Sequence, residues 1–296
     1  MTTNIAASIK QKLLNHARHH QQDFQQTLTR YALERLLYRL SISEERNNFV
    51  LKGAMLFQLW LNLPHRPTRD LDFLGFGDAE TGKIATQFQR ITTTQVEIDD
   101  GIWYAPTSVQ VDEIRKQAGY PGVRVRLQAT LDSAQIPLQC DIGFGDAITP
   151  TPLIETYPTM LDLPAPILRT YPPVTAIAEK LEAIIKLDML NSRVKDFFDI
   201  WILLAQGDID KSQLAEAIAH TFARRETPLP VNMPAGLSHT FAQTRSAQWN
   251  QFIQRNRLQA PAFSEVVETI YDHCWPLLQQ ARNTITRGED IGKKIR

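Results

Sequence analysis

The stretch Arg66-Pro67-Thr68-Arg69-Asp70-Leu71-Asp72-Phe73 carries the most information about the fold and chemistry of this chain. From Asp70 onward, polar and apolar residues alternate, which is typical of a strand with one buried face. Side chains two positions apart on a strand point to the same side, so Asp70 and Asp72 should project together while Leu71 and Phe73 face a core. Neighbouring carboxylates repel each other, and a divalent cation such as Mg²⁺ carrying nucleotide phosphates would stabilise them.

The Asp-x-Asp triplet is a weak signal alone, because roughly three acidic-x-acidic triplets are expected by chance in a chain with this many acidic residues. A second alternating pattern, over residues 136–144, strengthens it. There the apolar residues share one face, while Gln139 and Asp141 share the other. The pattern allows two interpretations: Asp141 is a solvent-facing residue without a role, or it is the third carboxylate of one site.

Hydrophobic spacing divides the rest of the chain into helical and β-rich regions. Helices are predicted within residues 4–40 and, as a buried helix ended by prolines, over 54–62. Strands are predicted over 70–74, 123–128 and 136–144, the last two joined by a hairpin loop at 132–135, with further β elements at 91–98 and 109–114. The expected architecture is a mixed sheet with helices on one face and polar groups on the other.

Residues 147–173 contain seven of the 17 prolines, a composition that favours a linker between domains. Beyond it, apolar stripes predict helices over 176–185, 194–204, 214–222, 249–255 and 263–281. We therefore predict an α/β (α+β) protein of two domains, residues 1–165 with the mixed sheet and residues 166–296, which are helical.

Composition excludes several classes of protein. The 32 Lys and Arg residues balance the 32 Asp and Glu residues, so the chain is not a polycation that binds nucleic acid by bulk charge, although a local basic patch around Arg224-Arg225 stays open. The two cysteines form no CxxC pair, which argues against a zinc ribbon or a disulfide framework. Zincin, nucleophile-elbow and P-loop motifs are missing from the sequence. A signal-peptide pattern and long apolar runs are missing too, so we expect a cytoplasmic protein without a membrane partner.

Three groups of residues together resemble the AbiEii-type nucleotidyltransferase toxins of bacterial toxin–antitoxin systems, a branch of the DNA polymerase β-like nucleotidyltransferase fold. They are residues 49–54 with 66–73, residues 138–146, and residues 178–183 followed by 193–199. The resemblance implies an abortive-infection-like enzyme that transfers a nucleoside monophosphate from an NTP with the help of Mg²⁺. It also implies a cognate antitoxin and an RNA acceptor, with the 3′ end of tRNA expected first. Two alternatives stay open: a non-catalytic nucleotide-binding regulatory module, and nucleotidylation of a protein hydroxyl.

Carried over residue by residue, the resemblance makes Asp70 and Asp72 the metal-binding pair and Asp141 the carboxylate that orients or deprotonates the acceptor hydroxyl. Lys180 would neutralise phosphate charge, held in place by Asp196 or Asp199, so that the helical domain would supply part of the active site. The residues implied to contact the NTP are Lys52, Gly53, Ala54, Thr68 and Arg69. Without the resemblance, Lys180 would more simply reach solvent, and the two aspartates would pair with Arg193 and Lys195.

Two details of the phosphate-binding region bear on this assignment. The superfamily usually has Gly-Gly or Gly-Ser at the turn, whereas this chain has Gly53-Ala54, so the turn offers backbone N–H groups but no hydroxyl. Thr68 lies two residues before Asp70. It either fills space at the start of the strand or, like a matching hydroxyl in some relatives, could be phosphorylated to block NTP binding.

Overall fold

The computed structural model describes residues 4–61, 68–115 and 121–294, with no side-chain description for residues 115, 121 and 284–294. The described residues form two compact units. One contains the residues up to 145 together with 153–170, and the other contains 146–152 and the residues from 171 onward. The predicted fold class is confirmed, because the first unit is a mixed sheet with helices and the second is helical.

The first unit begins with two long helices, as the sequence predicts. Its helices are α1 (Ile5–His19), α2 (Phe24–Ile42), the single turn α3 (Phe57–Trp60) and α4 (Thr81–Thr93). Its strands within the described ranges are β1 (Phe49–Lys52), β2 (Asp70–Gly75), β3 (Ile102–Tyr104), β4 (Gln110–Arg115), β5 (Pro121–Leu131), β6 (Ala134–Phe144), β7 (Leu153–Thr156) and β8 (Ile167–Thr170).

These strands form one mixed sheet in the order β3-β5-β6-β2-β1-β8-β7, with β4 also paired to β5. The β2–β6 and β1–β8 pairs are parallel and the other pairs are antiparallel. The strands β2 and β6, which carry the predicted carboxylates, are therefore direct neighbours at the centre of the sheet. Helix α2 packs against β6 and β8, where it covers apolar residues.

The alternation in β6 explains how the sheet separates its two faces. Ile136, Leu138, Cys140 and Ile142 are fully or almost fully buried, whereas Gln139 and Asp141 between them are only half-buried. Burying a side chain of this size stabilises the fold by roughly 1.5–3 kcal/mol. The hydrophobic effect thus turns the apolar face toward the helices and places Gln139 and Asp141 on the opposite face.

Three local predictions were wrong. Residues 91–93 end helix α4 rather than begin a strand, because Ile84, Phe88 and Ile91 form a buried helical stripe that outweighs the β-branched threonines. Residues 54–60 form a 3₁₀ turn and one α-helical turn instead of a continuous helix, and Asn62 lies outside the described residues. The proline-rich segment 147–173 contains β7 and β8, and its prolines lie outside both strands.

The second unit contains α5 (Pro173–Leu187), α6 (Val194–Gln206), α7 (Lys211–Arg224), α8 (His239–Asn256) and α9 (Phe263–Lys294). These helices include the ones predicted from the apolar stripes, with α8 starting earlier than expected. Aromatic side chains fill their core: Phe197 stacks on Phe241 with ring centroids 5.4 Å apart, and Trp249 stacks on Phe263 at 4.9 Å. This core fixes α6, which carries two of the predicted site residues.

Within the described ranges, no helix combines the length and the apolarity that crossing a bilayer requires.

Candidate active site

The three predicted carboxylates of the first unit lie on one face of its sheet. Asp72 in β2 is directly opposite Asp141 in the parallel neighbour β6, and Asp70 is opposite Gln139. Residues that are directly opposite each other in a sheet share a face. The prediction that Asp141 joins Asp70 and Asp72 on one polar surface therefore agrees with the strand register.

Basic side chains flank this acidic row on both sides. Lys52 in β1 is directly opposite Asp72, and Arg124 in β5 is directly opposite Asp141. The row across the sheet thus reads Lys52, Asp72, Asp141, Arg124. The sequence predicts the strand around Arg124 and the hairpin that joins it to the strand of Asp141, but not the register that places Arg124 directly opposite Asp141.

Arg124 holds Asp141 through two parallel hydrogen bonds. Its Nε and one terminal nitrogen each donate to a different oxygen of the carboxylate at 2.8 Å. The hydrogen bond with Asp141 raises the pKa of the Arg124 guanidinium, and the nearby charges of Asp70 and Asp72 raise it further. Such a bidentate, charge-assisted contact is the strong form of the arginine–carboxylate pair. It therefore fixes the orientation of the Asp141 carboxylate.

The turn after β1 places backbone directly against the carboxylate row. Gly53 has φ of 79° and ψ of −157°, a conformation that glycine adopts easily and other residues rarely do. A Cβ atom at Gly53 would lie 2.7 Å from the Cβ of Asp72. The turn therefore requires glycine for two reasons, its backbone conformation and its close approach to Asp72.

The remaining predicted NTP contacts surround this turn and the start of β2. Lys52 is the last residue of β1 and is largely buried, and Ala54 begins the 3₁₀ turn after Gly53. The strand starts at Asp70 rather than at Thr68, yet the Thr68 hydroxyl donates a 2.7 Å hydrogen bond to the Asp70 carboxylate. Arg69 is exposed.

Asp70 and Asp72 suit a hard divalent cation that takes its remaining ligands from the substrate and from water. Among the described residues, no group of three or more His, Cys, Asp or Glu side chains has an arrangement that could enclose a metal ion. Asp70 and Asp72 are half-buried oxygen donors on one face. Since Mg²⁺ usually takes one or two carboxylates and completes its shell with phosphate oxygens and water, the pair fits Mg²⁺ delivered with a nucleotide.

The second unit brings together Lys180, Asp196 and Asp199. The Lys180 ammonium lies 3.1 Å from a carboxylate oxygen of Asp196 and 2.8 Å from one of Asp199. Both aspartates are fully buried, and Lys180 is 15% exposed. Arg193 contacts the other Asp196 oxygen at 2.6 Å, so two cations balance two carboxylates, as buried charges require. Both aspartates that were expected to position Lys180 thus contact its ammonium.

The hydrogen bonds also identify a support for Lys180 that the sequence analysis missed. Arg225, just after α7, contacts Glu182 at 2.9 Å, Asp146 at 3.0 Å and Glu179 at 3.2 Å. Glu179 and Glu182 lie on either side of Lys180 along α5. The cluster therefore fixes the turn of helix from which Lys180 extends. Arg225 was noted only as part of a basic patch, because its partners are distant in sequence.

A comparison with protein families agrees with these motifs. A family model described as nucleotidyl transferase AbiEii toxin, type IV toxin–antitoxin system, matches residues 35–272. No curated protein matches the chain. Among solved structures, JHP933 from Helicobacter pylori is 14% identical with a TM-score of 0.48, and the match covers 95% of this chain and 98% of that one. A candidate nucleotidyltransferase from the same organism is also 14% identical, with a TM-score of 0.47 and coverage of 92% and 97%.

Proposed function

The chain belongs to the AbiEii nucleotidyl transferase toxin family of type IV toxin–antitoxin systems, and we propose that it transfers a nucleoside monophosphate from an NTP to the 3′ end of a tRNA. The observation that carries this proposal is the Asp70–Asp72 pair on the polar face of the sheet, with the Gly53 turn against it. Membership of a toxin–antitoxin family implies an antitoxin as partner.

The reaction is an in-line displacement at phosphorus. The acceptor hydroxyl oxygen forms a bond to the α-phosphorus, the bond from that phosphorus to the β-bridging oxygen breaks, and pyrophosphate leaves while the hydroxyl proton is released. Mg²⁺ bound by Asp70 and Asp72 would supply charge neutralisation on the phosphate oxygens.

Asp141 can take part without leaving Arg124. A carboxylate has about four lone-pair positions, and the two hydrogen bonds from Arg124 together with the longer one from Gln139 use three of them. Its oxygens can therefore still accept a hydrogen bond from the acceptor hydroxyl, which would orient that hydroxyl for attack. This role needs a carboxylate held in one orientation, and the Arg124 contact provides it.

The Gly53 turn suits phosphate binding through the backbone. Because Gly53 has no side chain, the backbone of the turn lies directly against the Asp72 carboxylate, so a phosphate carried by a cation on Asp72 would meet the N–H groups of the turn, where Ala54 supplies no hydroxyl. We propose that Lys180 also contributes positive charge to the reaction. Family membership supports this assignment, and the two aspartates that hold its ammonium limit the freedom of its long side chain.

The proposal is tested by incubating the purified chain with each α-labelled NTP, Mg²⁺ and either total RNA or cell protein. Label should enter tRNA, and periodate oxidation of the tRNA 3′ end should prevent it. Asp72→Asn should abolish transfer, whereas Asp112→Asn, which removes a carboxylate from a neighbouring position on the same sheet, should not. Label in protein would favour a protein acceptor, and reversible nucleotide binding without transfer would favour a regulatory module.

A further inference from the structure

Asp141 has the position of a third metal ligand but not the freedom of one. Its backbone is directly opposite that of Asp72, so the register alone would allow both carboxylates to reach one cation. However, both of its oxygens accept hydrogen bonds from Arg124, and Gln139 lies 3.4 Å from one of them. Only 14% of the Asp141 side chain is exposed.

We infer that Arg124 withholds Asp141 from the metal, so that this chain binds its divalent cation with two carboxylates, Asp70 and Asp72, instead of three. The inference rests on the proposed function in one respect, namely that Asp70 and Asp72 bind a metal ion. Arg124 is a positioning residue in this scheme, because it acts through Asp141.

The energetics favour keeping Asp141 paired with Arg124. A cation on the lone pair that Arg124 leaves open would lie beside the guanidinium charge, and a cation that displaced Arg124 would break two charge-assisted hydrogen bonds and leave a guanidinium that is 32% exposed without its partner. Binding by Asp70 and Asp72 alone keeps Arg124 and Asp141 paired. It also leaves the metal and its two ligands neutral as a set, with the remaining coordination positions open for phosphate oxygens and water.

The experiment counts the water molecules on the metal. Mn²⁺ is bound to the full-length chain without nucleotide, and water-proton relaxation gives the number of water ligands on the ion. The single variant Asp141→Asn, in which Arg124 is intact, should have the same number of water ligands as the wild type. Arg124→Gln frees Asp141, so the bound Mn²⁺ should lose about one water of its roughly six-coordinate shell, and Arg124→Gln/Asp141→Asn should regain it.

Arg126→Gln is the matched control. Arg126 lies two residues from Arg124 on the same face of β5 and pairs with Asp112, so this variant removes a similar charge without freeing Asp141. It should keep the wild-type water count. A change in charge alone alters the affinity for Mn²⁺ but not the number of ligands, which is why the water count is the deciding measurement.

Two results would overturn the inference. A water gained on Asp141→Asn alone would show that Asp141 already ligates the metal, and an unchanged count in folded Arg124→Gln would show that Arg124 does not hold it back. Asp141→Asn keeps the shape of the side chain and is expected to fold, so the water count of this variant can be measured even if Arg124→Gln does not fold. Loss of Mn²⁺ binding from the wild type would instead reject the metal site itself, and the proposed function would fail with it.

Discussion

Gly53 and Asp72 approach each other so closely that no side chain fits between them. A Cβ atom on Gly53 would lie 2.7 Å from the Cβ of Asp72 and would overlap its carboxylate. The φ angle of 79° at Gly53 adds a second requirement for glycine. The turn that is proposed to contact phosphate and the carboxylate that is proposed to bind metal therefore fix each other's position.

Gly53→Ala should lower nucleotide transfer by about 100-fold, since a displacement of roughly 1 Å at a reacting group can cost that much. The new methyl group must push Asp72 or the turn aside. Gly77→Ala is the control, because Gly77 also has a positive φ, of 87°, but has nothing within 4 Å of the added Cβ. Steady-state transfer and thermal unfolding of both variants check this. Equal losses of transfer in the two variants would mean that backbone strain alone accounts for the effect.

Thr68→Glu should reduce transfer strongly, because the Thr68 hydroxyl lies 2.7 Å from a carboxylate oxygen of Asp70. A negative group at this place would repel both Asp70 and the incoming triphosphate, as a phosphate on Thr68 would. Thr68→Val keeps the shape, loses only the hydrogen bond, and should retain most activity. The KM for NTP in the three proteins is the measurement. An unchanged KM in Thr68→Glu would exclude a phosphorylation switch at this position.

The sequence predicts the site well where its information is local. The alternation Asp70-Leu71-Asp72-Phe73 correctly gives a strand with its aspartates on the half-buried face and Leu71 and Phe73 in the core. Helices with a clear apolar stripe, such as α5 and α6, were predicted for the same reason. In these segments one periodicity dominates and tertiary contacts only reinforce it.

Pairing between distant segments could not be predicted in this way. The parallel contact of β2 with β6 joins strands some seventy residues apart, and it alone places Asp141 beside Asp72. The hairpin of β5 with β6 was predicted, but its register, which sets Arg124 opposite Asp141, was not. Similarly, β7 and β8 were overlooked because prolines dominate the composition around them. Local propensity carries no information about such partners.

Glu34→Gln should remove a pH dependence of stability. Glu34 is 1% exposed, and burial raises its pKa to about 7, partly offset by a hydrogen bond from the Met160 N–H. Because the folded protein holds this proton more tightly than the unfolded chain, the stabilisation is complete below about pH 4.5 and is lost as the pH rises toward 7. The wild type should lose about 2 kcal/mol more than Glu34→Gln between pH 5 and 7.5. Urea unfolding at both pH values tests this, and parallel curves for the two proteins would contradict it.

Lys180→Ala should abolish transfer, but it should also destabilise the second unit. Lys180 is the shared partner of two fully buried carboxylates, Asp196 and Asp199. Removing one partner of a buried ion pair typically costs 3–5 kcal/mol, here about the lower figure because Arg193 still pairs with Asp196. Lys186→Ala is the control on the same helix, since Lys186 is 38% exposed and 3.9 Å from its nearest carboxylate; it should change neither property appreciably.

The double variant Lys180→Met/Asp199→Asn separates the two roles. It removes one buried charge of each sign, so much of the lost stability should return, and the methionine keeps the packing of the lysine stem. If Lys180 neutralises charge during transfer, activity should stay reduced by orders of magnitude in this stable protein. If activity returns together with the free energy of unfolding, Lys180 serves only to hold α5 to α6. Labelled-NTP transfer and urea unfolding, measured on the same preparations, decide between the two roles.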